Sequence, residues 1–204
     1  MSAPAPRRPL LFAITVLVCI VMAWGGVAGG CSAVGYYKAG TVQEPSLKPG
    51  VDTAEEEAYR AWFRAERQVR DAARSRLLPL SIGNLILSGL LLVAATRAFG
   101  GRRGSRELLI QAVAANAALV VVEYMATRHV RGALAMAFAD HVPQASLKGV
   151  PWEALVSVVW TFFRLRLFVV LGIYGLTLLG LTREATLGWF EARALDEQAN
   201  AEED

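Results

Sequence analysis

Charge is scarce in this chain. Only 19% of its 204 residues are Asp, Glu, Lys or Arg, where a soluble domain carries about 25%. Histidine and cysteine are scarcer, with two of each. Two histidines within one short interval, His129 and His141, do not suit a haem held between two membrane helices. Arg128 and Arg131 flank His129 and would repel a metal cation, and no HExxH-like spacing is present. The two cysteines, Cys19 and Cys31, are twelve residues apart. On one helix that is about 18 Å, too far for a disulfide. No nucleophile elbow, phosphate loop or paired carboxylate motif appears either. The sequence therefore implies no cofactor and no metal, and it offers no constellation for an enzyme. The net charge of +3 is no nucleic-acid signal. From Arg183 onward two arginines face seven acids, and no RNP, zinc-finger or helix-turn-helix pattern occurs.

What the chain has in quantity is apolar residues, 54% of the total. They are grouped into four stretches near the roughly 20 residues that a bilayer crossing needs. The spans are expected at 9–30, 77–99, 107–127 and 161–181, with Pro79 in the first turn of the second, where proline is tolerated. The segment 150–160, ahead of the last span, reads as interfacial, within an outer loop at 128–160. The fold class expected is all-α, a single-domain polytopic helix bundle over 1–204 with an acidic tail at 183–204.

Orientation follows from basic residues in short loops, which stay cytoplasmic. Arg97, Arg102, Arg103 and Arg106 crowd the loop between the second and third spans. Arg7 and Arg8 before the first span agree. The long loop at 32–76 carries eight basic and seven acidic residues, and its length makes it a weak counter-vote. Both termini are then expected in the cytoplasm of a bacterium, with two loops outside the inner membrane.

The first outer loop contains an expected helix at about 52–76. Asp52 and Glu55 fit a capping box, and Glu56–Arg60 and Glu66–Arg70 stand at i,i+4. Tyr59, Trp62, Phe63 and Val69 share one broad face, with an arginine stripe of Arg60, Arg64, Arg67 and Arg74 beside it. Such a helix either lies on membrane lipids or packs on its own outer loops.

The first span ends in "AWGGVAGGC", Ala23–Cys31. Two readings compete for it. A basic start, an apolar run and small residues before a cysteine resemble a bacterial lipoprotein signal, cleaved and lipidated at Cys31. The apolar run is 19 residues, however, where a signal core has about 7–15. Gly25/Gly29 and Gly26/Gly30 are two overlapping GxxxG pairs, which let membrane helices approach closely. The uncleaved packing helix is the preferred reading.

Polar groups inside spans are costly and tend to face the bundle interior. Ser88 and Asn116 lie near mid-depth and, with Asn84, are expected to bond between helices. Glu123 lies about 6 Å below the outer edge, and Arg164 and Arg166 about 5 and 8 Å below it, counting 1.5 Å per residue. An intramembrane ion pair between Glu123 and one of these arginines is expected. The other arginine would reach outward to phosphates. The sequence thus points to a small membrane protein acting as a structural or interaction subunit, with lipids, a membrane protein or a second copy as partners. A transport or lipid-handling role through the buried polar groups is the alternative.

Overall fold

The computed structural model describes residues 9–39, 53–102, 104–141 and 150–203. Arg7, Arg8, Asp52 and Arg103 lie outside the described residues, as does the side chain of Glu55. Among the described residues every regular element is helical: α1 (Leu10–Ala39), α2 (Thr53–Ala72), α3 (Arg74–Phe99), α4 (Ser105–Ala126), α5 (Arg128–His141), α6 (Trp152–Thr182) and α7 (Glu184–Glu203). Four of them, α1, α3, α4 and α6, are long and apolar enough to cross a membrane. The chain is all-α, with four long apolar helices that could span a membrane.

The helix ends differ from the sequence expectation in instructive ways. α1 does not stop at Gly30 but continues through Cys31 to Ala39. α3 begins at Arg74, so Pro79 sits beyond the first turn. It there removes the N–H that would bond the Ser75 carbonyl. α6 runs unbroken from Trp152 through the expected boundary near Thr161. No glycine or proline occurs between Trp152 and Leu171 to interrupt it, and Pro151 marks its start. The segments expected as an outer loop and an acidic tail contain α5 and α7.

The chain forms two compact units. The first comprises residues 1–31, 82–120 and 170–204. Its core joins Phe12, Val16, Cys19 and Ala23 of α1 to Leu91, Ala94, Ala95 and Ala98 of α3, Leu109 and Val113 of α4, and Tyr174 and Leu181 of α6. α7 completes it. Trp189 packs 5.1 Å from Phe12 between ring centres, and Phe190 packs edge-on at 5.3 Å. Between α3 and α4 the chain reverses at Gly101 and Gly104, with φ of 73° and 70°, a backbone region that glycine enters freely. A Cβ on Gly101 would also stand 2.9 Å from the Trp189 ring.

The second unit comprises residues 32–81 and 121–169. Here α2 packs on α5, with Trp62 edge-on to Phe138 at 6.3 Å. The Trp152 indole N–H donates to Asp140 at 3.0 Å, joining the start of α6 to the end of α5. Tyr36 donates to Asp71 at 3.4 Å, joining the end of α1 to α2.

Candidate interaction sites

The mid-depth polar residues are spent on helix packing. Asn84 donates to the Gly26 carbonyl at 3.2 Å and accepts from Ser88 at 3.3 Å. Asn116, which is buried, donates to the Leu87 carbonyl at 3.0 Å and to its own helix at Ala112, 2.8 Å. Ser88 thus bonds within α3, while Asn84 ties α3 to α1 and Asn116 ties α4 to α3. All three are served by protein groups.

The two glycine pairs part company. A Cβ on Gly26 would stand 2.8 Å from Ser88 Cβ, and one on Gly30 would stand 2.9 Å from Leu85 Cβ and 3.1 Å from its Cα. Real Cβ atoms do not come so close, so this pair is what allows α1 and α3 to touch. Gly25 and Gly29 have nothing within 4 Å and lie with exposed Leu17, Val21 and Trp24 on α1. Cys31 is also exposed.

Two arginines of the stripe, Arg60 and Arg67, are answered by acids of α2, as is Arg70 beside it. Arg60 pairs with Glu56, Arg67 with Asp71 at 3.8 Å, and Arg70 with Glu66 at 2.7 Å. Arg64 Nε donates to the Arg60 carbonyl at 3.3 Å. Arg74 is exposed at the start of α3. The aromatic side of α2 is engaged by α5 through Trp62.

Glu123, Arg164 and Arg166 are all exposed. Among the described residues, no ion pair joins Glu123 to either arginine. Equal depth along two helices does not fix the rotation of each about its axis, and depth was all that the residue count supplied.

The charged side chain that the second unit does bury is Arg131, on the first turn of α5. Its guanidinium carbon lies 3.7 Å from the centre of the Tyr124 ring and 5.9 Å from that of Trp160. Arg131 Nη1 donates to Thr127 Oγ1 at 2.7 Å, and that hydroxyl donates onward to the Glu123 carbonyl at 2.6 Å. Gly132 allows the approach of α6, since a Cβ there would meet Trp160 at 3.7 Å. Burial lowers the Arg131 pKa from its ordinary value, while Tyr124 and Glu123 oppose that shift. In sequence this site shows only as a spacing. Tyr124, Thr127 and Arg131 stand at i, i+3 and i+7 across a helix break, and Trp160 is remote.

The fold and its contacts define a helical protein with four helices fit to cross a membrane. No protein-family model, curated protein or solved structure matches the chain.

Proposed function

We propose that this chain is a structural or interaction subunit of the bacterial inner membrane, with both termini in the cytoplasm. The observation that carries the reading is the use of Asn84 and Asn116. Their side-chain amides go to backbone carbonyls of neighbouring helices, and the buried hydroxyls of Thr15 and Thr177 bond to carbonyls of their own helices. Polar groups committed to packing favour an assembly part over a conduit. The outward side of α1 adds a surface with the right chemistry for another membrane helix. Gly25 and Gly29 are open there beside large apolar residues, and small residues permit close helix approach in lipid.

The test is the mass of the particle extracted in mild detergent, with its protein content identified. A stoichiometric membrane protein or a second copy of the chain is the expected result. A lone chain that supports a solute flux in vesicles, with the flux abolished by Asn116→Leu, would replace this reading with transport.

A further inference from the structure

Arg131 is the one charged side chain counted as buried among the described residues, at 7% exposure. A buried cation normally has a carboxylate beside it, because an uncompensated charge is costly away from water. Among the described residues, no carboxylate lies in ion-pair range of Arg131. Glu123 contributes charge from farther away and is exposed. Arg128, one turn earlier and exposed, adds positive charge to the same neighbourhood.

The bonding of the guanidinium is one-sided. Its face lies against Tyr124, and Nη1 is taken by Thr127. Nε is buried and has no hydrogen-bond partner among the described residues. On a planar guanidinium the Nε–H and the adjacent Nη2–H point the same way, on the edge away from Nη1. Two parallel donors there match two oxygens of one oxyanion. Thr127, Tyr124 and Trp160 therefore hold the group with the Nε–H of that edge left over.

Position then selects the oxyanion. Arg131 lies five residues beyond Ala126, the end of a membrane-competent helix. At 1.5 Å per residue that is at most about 7–8 Å. The head-group layer on each side of a bilayer is about 5–8 Å deep, so the guanidinium falls at phosphate level.

We propose that Arg131 binds a phosphate group through its Nε/Nη2 edge, with Arg128 supplying the second positive charge and Tyr124 and Trp160 holding the guanidinium plane. Nε is covered, so binding includes a side-chain shift around the guanidinium. The phosphate comes either from an anionic lipid head group or from solution, and one experiment separates the sources. It does not depend on the interaction-subunit reading.

The full-length protein, stripped of lipid in detergent, is titrated by native mass spectrometry with phosphatidylglycerol and with diacylglycerol, which lacks phosphate. Inorganic phosphate is titrated in parallel. One saturable phosphatidylglycerol per chain is expected, with no comparable diacylglycerol adduct. Arg131→Gln and Arg131→Lys should each weaken it about tenfold or more, since hydrogen bonds to charged groups are the strong ones. Lysine keeps the charge and loses the two-donor edge, so it decides the matter if the Gln variant does not fold. Arg131-dependent binding of inorganic phosphate instead would support the site and assign it to a soluble ligand. Phosphatidylglycerol and inorganic phosphate both binding Arg131→Lys as well as they bind the wild type, or neither binding the wild type, would overturn the proposal.

Discussion

At the scale of single residues, glycine spacing has the sharpest consequences. Gly26 and Gly30 are where α1 meets α3, and the atoms opposite Gly30 include the Leu85 backbone, which has little freedom to move. Adding a methyl at either position must push helices apart. Overpacking of this kind costs about 1–3 kcal/mol. Gly26→Ala and Gly30→Ala should therefore lower the melting temperature in detergent. In the lone chain, freed of any partner, Gly25→Ala and Gly29→Ala meet open space and should leave it unchanged or raise it, because alanine is the better helix former by about 1 kcal/mol. Equal effects at all four positions would contradict this division. The overlapping pairs were legible in the sequence; their division was not. Adjacent residues differ by about 100° around a helix, and only the partner helix determines which pair turns inward. A weaker effect belongs to Asn116, whose bond to the Leu87 carbonyl crosses helices. Interhelical polar bonds in membranes average about 0.6 kcal/mol and reach about 1.7. Asn116→Ala should destabilise by that order in reversible detergent unfolding, and a loss several times larger would mean that the residue does more than pack.

At the scale of elements, the ends of the chain's helices were harder to read than their existence. Apolar runs located all four long helices, since length and hydropathy are local properties. The unbroken course of α6 from Trp152 was hidden because the stretch is too long for one perpendicular crossing, which suggested an interfacial segment at 150–160, whereas a helix needs only an uninterrupted backbone ladder. The helix α7 was hidden for the opposite reason. Its acids suggested a solvated tail, while the contacts that hold it, Trp189 and Phe190 on Phe12, join residues nearly 180 positions apart in sequence. Trp189 is buried and meets both Phe12 and Gly101. Removing a buried Trp side chain costs about 3–5 kcal/mol, more than a terminal helix can lose and stay docked. Trp189→Ala should free α7, read as faster tryptic cleavage at Arg193 in the purified protein. Cleavage at the wild-type rate would show that α7 is held by other contacts. For α2, the aromatic face and arginine stripe were visible beforehand, but not their use. Arg60 and Arg67 of the stripe pair with i,i+4 acids, and Trp62 is engaged by Phe138.

At the scale of the whole molecule, orientation rests on two arguments that share no data. The first is connectivity. α2 joins α1 to α3, α5 joins α4 to α6, and α2 and α5 pack together in one unit. Both connections therefore emerge on one side if the four long helices cross. The start of α1, the α3–α4 turn and the end of α6 belong to the other unit, where Trp189 of α7 meets Phe12 and Gly101. In the proposed topology, with all four long helices crossing, the two ends of the chain lie on the same side. The second is charge: in the proposed orientation, basic residues decide which side is which. Arg97, Arg102 and Arg106 border the α3–α4 turn, and Arg106 Nε donates to the Leu181 carbonyl at 2.9 Å. Basic residues in a short connection are retained in the cytoplasm. Reporter fusions at Gly101 and behind α7 should then score cytoplasmic, and one placed just ahead of Thr53 should score external. Reversal at all three sites would keep the connectivity and refute the charge argument. A reporter ahead of Thr53 on the same side as one at Gly101 would refute the connectivity itself, because α1 and α3 would then not both cross.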